Sequence, residues 1–188
     1  MRPFLKILFL VLFVKSAFAQ SGCNLTTSSN GKIPAVTLED IQCIARESGK
    51  KNTIFYTFGI WCEPCILHLP NAVGLSRKYD TEFYVLLVDP EMSERTIKAV
   101  EELRKASPEI KIAVLKDSVY GSKLKKRNRK FVEDVTPKNL EAIDDYSKYI
   151  VLDNTGKVLL VTNWKDNRDN DWHDDSKMTE KLIVPLIK

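Results

Sequence analysis

The sequence predicts an α/β protein, a mixed central sheet with helices on both faces. Three observations carry that expectation. Apolar, β-rich runs at Thr53–Phe58, Glu82–Val88 and Ile110–Leu115 alternate with stretches of helical periodicity, the order of a sheet wound through helices. The run Glu82–Val88 is continuously apolar in character, as a parallel strand covered on both faces is. A late pair of runs, Lys148–Asp153 and Lys157–Thr162, is joined across Asn154-Thr155-Gly156, so the chain folds back there as an antiparallel hairpin and the sheet becomes mixed.

Each element follows in order. Residues 20–35 are polar and rich in Ser, Thr and Asn, and read as an irregular leader. Thr37 is placed to cap a first helix, with Asp40 three positions on; Leu38, Ile41, Ile44 and Ala45 share one face, and Gly49 ends it. Thr53–Phe58 is a buried strand that stops at Gly59. A second helix starts near Cys62, carries Pro64 in its first turn and runs to about Tyr79, with Leu69, Val73 and Leu75 turned inward and a kink at Pro70. A third helix spans Ser93–Lys105 on the stripe Ile97, Val100, Leu103. Residues 119–135 are basic and helical in part, residues 165–177 form a charged loop, and Met178–Ile187 closes the domain as a helix.

The first 19 residues carry a different signal. Arg2 and Lys6 precede a purely apolar stretch, Ile7–Val14, and Ala17-Phe18-Ala19 gives a small-x-small cleavage pattern, so residues 1–19 read as a secretory signal peptide. An uncleaved membrane anchor, or a lipoprotein attached at Cys23 after Gly22, are the alternatives; the stretch is short for a span. Export makes the chain periplasmic or otherwise extracytoplasmic, with residues 36–188 as one folded domain. Removing Arg2, Lys6 and Lys15 with the signal lowers the formal charge from +4 to +1, which gives no case for a nucleic-acid partner.

The chemistry sits at Trp61-Cys62-Glu63-Pro64-Cys65. Two cysteines separated by two residues close into a small disulfide and open again, exchanging two electrons. The strand–turn–helix context puts Cys62 at a helix N-terminus, where unpaired N–H groups and the backbone dipole stabilise a thiolate. Cys65 lies one turn in and is shielded. Cys62 is therefore the expected nucleophile and Cys65 the resolving thiol. A structural disulfide that never turns over is the bland alternative. A zinc set of Cys62, Cys65 and His68 would line up along one helix and lack a fourth ligand. Haem attachment requires His directly after the second cysteine, where Ile66 stands. No metal and no diffusible cofactor is expected.

Phe58-Gly-Ile-Trp-Cys-Glu-Pro-Cys65 with Pro70, followed by Tyr146-Ser-Lys-Tyr-Ile-Val-Leu-Asp-Asn-Thr-Gly-Lys-Val158, resembles the thioredoxin superfamily. The Glu-Pro dipeptide and the export signal make it most similar to the TlpA/ResA-type extracytoplasmic thiol–disulfide oxidoreductases. The resemblance covers roughly residues 36–188. It implies a thioredoxin-like fold, client proteins with disulfides as substrates, and a membrane electron donor. It also implies a cis-proline where this chain has Ser147. A non-proline cis bond costs about 2.5–4 kcal/mol, so the Tyr146–Ser147 peptide is expected to be trans, the loop reshaped, and Lys148 turned toward the active site. Tyr56 falls where many thioredoxins bury a carboxylate, or is a plain core aromatic.

The remaining candidates are weaker. Glu63 sets negative charge beside the nascent thiolate, which favours a reducing couple and hence the reductase direction. Trp61 is expected to pack beside the cysteines. His68 lies either near the sulfurs or on a partly exposed helix face, and His173 has no evident partner. If Cys62 pairs with Cys65, Cys23 is left for Cys43; two free thiols, or a lipidated Cys23, are the other readings. The five aspartates between Asp166 and Asp175 lack EF-hand spacing and read as a surface loop. The basic run Lys123–Lys130 reads as a solvated helix face. A non-catalytic thioredoxin-like binding module with an inert Cys62–Cys65 disulfide is the rival to the enzyme.

Overall fold

Strand positions follow from the apolar runs, and the computed structural model, which describes residues 22–28 and 33–188, assembles them into one seven-stranded sheet. The signal-peptide reading of residues 1–19 lies outside the described residues. In chain order the elements are β1 (Thr26–Thr27), β2 (Pro34–Val36), α1 (Leu38–Glu47), β3 (Asn52–Phe58), α2 (Glu63–Lys78), β4 (Glu82–Leu87), α3 (Glu94–Ala106), β5 (Lys111–Leu115), α4 (Asp117–Tyr120), α5 (Leu124–Val135), β6 (Tyr149–Asp153), β7 (Val158–Val161), α6 (Ser176–Leu182) and α7 (Val184–Ile187).

The sheet order is β1-β2-β5-β4-β3-β6-β7. The strands β2, β5, β4 and β3 run parallel, and β6 and β7 join antiparallel, so the sheet is mixed as expected. Alternation along each strand divides the core in two. Ile54, Tyr56, Phe58, Val85, Leu87, Tyr149 and Val151 face α2, α3, α6 and α7. Phe55, Leu86, Val88, Ala113, Ile150 and Leu152 face α1, α4 and α5. Helices therefore cover both faces, as each sheet side must bury its apolar set. Among the described residues no helix is long and apolar enough to cross a membrane.

Local signals set the boundaries. Thr37 caps α1 in a full capping box with Asp40, and Ser93 caps α3 through Thr96. The β6–β7 hairpin turns on Asp153, whose Oδ1 accepts the backbone N–H of Thr155 and Lys157, while Gly156 supplies the positive φ of 81°.

Several boundaries differ from the sequence reading. The leader is not wholly irregular: Pro34–Val36 pairs in parallel with β5, and Thr26–Thr27 pairs antiparallel with it as an edge strand. Three residues are too short a run for periodicity to report. The inner face of α2 is Cys65, His68, Ala72, Leu75 and Ser76, with Leu69 and Val73 half-buried. On α3, Thr96 and Ala99 replace Ile97 in the buried stripe. The closing helix is two pieces, because Pro185 sits at the start of α7. The basic stretch divides at Gly121 into α4 and α5, and the fully buried Arg127 links them through Asp117 and the Gly121 carbonyl.

Candidate active site

The strand β3 ends at Phe58, and Gly59 turns the chain into α2. A side chain at Gly59 would place its Cβ 2.9 Å from the Trp61 ring, so the absent side chain is what lets the indole fold back there. Cys62 is the N-cap of α2 and Pro64 stands in its first turn. Cys62 and Cys65 form a disulfide, S–S 2.05 Å. The Cys62 Sγ accepts the backbone N–H of Cys65 at 3.3 Å. That geometry aims a helix-start donor at the sulfur that must carry charge. Cys65 is fully buried, whereas Cys62 keeps 6% of its surface and opens onto a cavity.

The cavity holds about 580 Å³ and lies between the start of α2, the loop before β6 and the loop before α6. Its walls include Tyr146, Trp164 and Trp172 as well as Trp61. Three of these carry exposed apolar surface, with Trp61, Trp164 and Trp172 at 38%, 56% and 46%. The mouth of the site is therefore aromatic and apolar.

Trp61 is held from two sides. Its Nε1 donates to Asp89 Oδ2 at 2.7 Å, and its ring meets Tyr146 edge-on at 4.8 Å between centroids. Arg95 lies over the indole at 5.8 Å and 3.7 Å from Asp89. Burial pushes the Asp89 carboxyl above the usual range, against the opposing pull of the Trp61 N–H and of Arg95. Sequence reasoning missed Asp89. The available signal was a carboxylate just past the carboxyl end of an apolar parallel strand, where α/β sites form.

Beneath the disulfide the polar groups form one connected set. The Tyr56 hydroxyl donates toward the Cys65 carbonyl at 3.1 Å and lies 2.7 Å from Ser147 Oγ. Ser147 Oγ lies 3.2 Å from His68 Nδ1, and His68 Nε2 lies 2.8 Å from the Trp172 carbonyl oxygen. Asp175 completes the set, 3.7 Å from His68 Nδ1, accepting from the Tyr149 hydroxyl at 2.6 Å and from Asn71 Nδ2 at 2.7 Å. Burial pushes the phenols of Tyr56 and Tyr149 well above their ordinary value, so neither serves as a base.

Cys62, Cys65, Trp61, Glu63, Pro64, Tyr56 and Ser147 thus come together, with Glu63 exposed on the rim. Lys148 does not join them. Its ammonium is buried, ion-paired to Asp145 and donating to the Thr162 carbonyl at 3.0 Å. The β3–β6 ladder continues to Lys148, whose carbonyl accepts the Thr57 N–H at 2.9 Å, so Lys148 alternates with Tyr149, which faces α2, and points to the other side. Burial presses Lys148 down and Asp145 up, each toward neutrality, with their mutual attraction opposing. The Tyr146–Ser147 peptide is trans, as expected, and Ser147 adopts a left-handed φ of 62°.

One further correction concerns the late loop: Asp175 is buried, not part of a charged surface stretch. On α2, His68 is 8% exposed and lines the cavity, so the partly exposed alternative falls. His173 pairs with Asp171 at 2.6 Å and lies against Trp172. The other cysteines lie elsewhere: Cys23 and Cys43 form a disulfide that joins the approach to β1 to α1, on the opposite face of the sheet from α2.

No family model and no curated protein matches the chain. Solved structures do. It is similar to a thioredoxin-like protein in its oxidized form, with 16% identity over 81% of this chain and 84% of that one and a TM-score of 0.47. It is also similar to a Bacteroides vulgatus protein described as a candidate thiol–disulfide oxidoreductase, with 22% identity over 80% and 79% of the two chains and a TM-score of 0.42. A third is tryparedoxin from Trypanosoma brucei, with 16% identity over 80% and 88% and a TM-score of 0.40. These are likenesses of fold; the chemistry rests on the cysteine pair and its surroundings.

Proposed function

We propose that the protein is an exported thiol–disulfide oxidoreductase that reduces disulfides in other exported proteins. The observation that carries the reading is the Cys62–Cys65 disulfide at the N-terminus of α2, with the Cys62 sulfur on a backbone N–H and open to an aromatic cavity. In the reduced protein, the Cys62 thiolate attacks a client disulfide, and one client sulfur leaves as a thiol. Cys65 then loses its proton and attacks Cys62 Sγ. The mixed disulfide breaks, the second client thiol leaves, and the Cys62–Cys65 bond re-forms with the two electrons now on the client. Glu63 on the rim favours the reducing direction. The export signal and the likeness of the motif to TlpA/ResA-type proteins support an extracytoplasmic location and a membrane protein as the electron donor.

The test is insulin reduction driven by dithiothreitol. Catalysed precipitation of the insulin B chain by the wild-type protein, abolished by Cys62→Ser, is the expected result. A wild-type rate equal to dithiothreitol alone would overturn the reading and leave the inert binding module. Cys65→Ser is expected to accumulate mixed disulfides with client proteins, and Cys62→Ser is not.

A further inference from the structure

The cavity beside Cys62 is held open by the fold itself. Asp145 accepts the Trp164 backbone N–H at 2.6 Å and pairs with Lys148, which fastens the chain after β7 to the loop before β6. The Trp172 carbonyl lies 2.8 Å from His68 Nε2, and Asp175 accepts from Tyr149 and Asn71, which fastens the loop before α6 to α2 and β6. The segments that carry Trp164 and Trp172 are therefore anchored. The space they enclose with α2, about 580 Å³, is pre-formed. Pre-formed cavities of roughly 300–1,000 Å³ are the kind that take small molecules.

Its charges divide into two groups. Asp145, Asp175 and His68 are spent on those fastenings. Glu63 and Arg168 are not. Glu63 is exposed in the first turn of α2, beside Cys62, and has no ion pair with a described residue. Arg168 comes from the loop before α6. Its ion-pair partner Asp169 stands 3.8 Å from Nε, beyond hydrogen-bond distance, and is 90% exposed. The cavity thus offers a ligand one carboxylate and one guanidinium from separate walls, beside the aromatic rings of Trp61, Trp164 and Trp172. The complement of that pattern is a compact molecule with an ammonium, a carboxylate and apolar stems, and Cys62 on the wall requires a sulfur as well.

We propose that the site also reduces free amino-acid or short-peptide disulfides, with the ligand's ammonium on Glu63 and its carboxylate on Arg168. The Cys62 thiolate attacks one ligand sulfur and the ligand's S–S bond breaks. The far half leaves as a thiol, taking a proton from water. The Cys65 thiol gives its proton to water as its sulfur bonds to Cys62 Sγ, and the near half departs with the bonding pair and is protonated in turn. Two electrons pass from the protein to the ligand, which ends as two thiols. Glu63 and Arg168 act here on substrate choice, apart from any effect on the sulfur itself.

The inference rests on the oxidoreductase reading, and the choice of disulfides separates the two. Fully reduced protein is mixed at low ionic strength with excess disulfide, quenched with acid and alkylated, and loss of the Cys62–Cys65 dithiol is read by mass. The probes are hydroxyethyl disulfide, which is uncharged, cystamine, which carries ammonium groups, dithiodipropionate, which carries carboxylates, and glutathione disulfide, which carries both. Each rate constant is divided by that of hydroxyethyl disulfide in the same variant, so a change in Cys62 reactivity cancels. Arg168→Gln is expected to lower the dithiodipropionate ratio, and Glu63→Gln the cystamine ratio, each roughly 3–10-fold, while both lower the glutathione disulfide ratio. Both residues are exposed, and each variant decides by itself. Wild-type ratios in either folded variant would overturn the inference. Insulin reduction by a wild-type protein that reacts with none of the small disulfides would overturn it too and leave the oxidoreductase standing. Failure with insulin and with every small disulfide would overturn both.

Discussion

The molecule carries two disulfides of opposite design, one on each face of the sheet. Cys23 and Cys43 lie 20 positions apart, and their bond ties the approach to the edge strand β1 to α1. Cys62 and Cys65 lie three positions apart and sit at the start of one helix. Loop-closure entropy alone makes the first bond stabilise the fold by about 3 kcal/mol, and the second by only about 2 kcal/mol. Surroundings widen that difference. The Cys62 sulfur has a backbone donor, a cavity and a buried polar network beneath it, whereas the Cys23–Cys43 bridge has an edge strand to hold in place. A redox disulfide is thus one whose opening costs the fold little and whose thiolate finds a prepared partner.

Exchanging the two pairs in experiment should break the comparison cleanly. Cys62→Ser is expected to remove insulin reduction entirely and, by the loss of about 2 kcal/mol, to lower the thermal midpoint by roughly 4–8 °C. The double variant Cys23→Ser/Cys43→Ser is expected to keep the turnover per folded molecule and lose about 3 kcal/mol of stability. For a domain of this size that is a fall of roughly 6–12 °C in Tm, read by calorimetry. Retained midpoint in the double variant would show that β1 and α1 are pinned by packing and not by the bridge.

A smaller effect separates the redox pair from the proline-bearing pattern that its motif resembles. Ser147 holds a φ of 62°, and proline is confined to about −65°. Ser147→Pro therefore cannot restore a familiar loop by side-chain replacement. It forces the backbone out of its present conformation and deletes the hydroxyl between His68 and Tyr56. The expected cost is more than about 1 kcal/mol, measured by denaturant unfolding, together with slower turnover. Faster insulin reduction by a stable Ser147→Pro variant would show that the missing proline limits the enzyme.

What the sequence made legible follows from which physical signals are local. The strands β3, β4, β5 and β6, the cap Thr37, and the placement of Cys62 at a helix start all depend on residues within a few positions of one another. Asp175 and Asp89 do not. Each reads as an ordinary loop carboxylate, and each becomes part of the site only because the sheet brings α6 to Asn71 and Tyr149, or β4 to Trp61. Lys148 failed for a related reason: a loop without its proline suggested a turn toward the cysteines, but pairing with Thr57 sets the side chain toward Asp145. The short strand β2 was hidden because three residues form a strand only when β5 offers its edge.

The smallest effect concerns Glu63, the one charged residue between the two redox cysteines. It is exposed in the first turn of α2, so water and salt screen it from the Cys62 sulfur. An exposed charge interaction of this kind amounts to roughly 0.2–1 kcal/mol. For a two-electron couple 1.4 kcal/mol corresponds to about 30 mV, so Glu63→Gln should raise the reduction potential by roughly 5–20 mV. The sign follows from the thiolate. Removing a nearby negative charge stabilises Cys62 as an anion, stabilises the reduced form, and makes the couple less reducing. The same replacement should leave the Cys23–Cys43 bond untouched, because it lies across the sheet. Equilibration with glutathione, followed by alkylation and mass analysis of each pair, measures both. A potential unchanged or lowered at Cys62–Cys65 would remove Glu63 from the argument for the reductase direction.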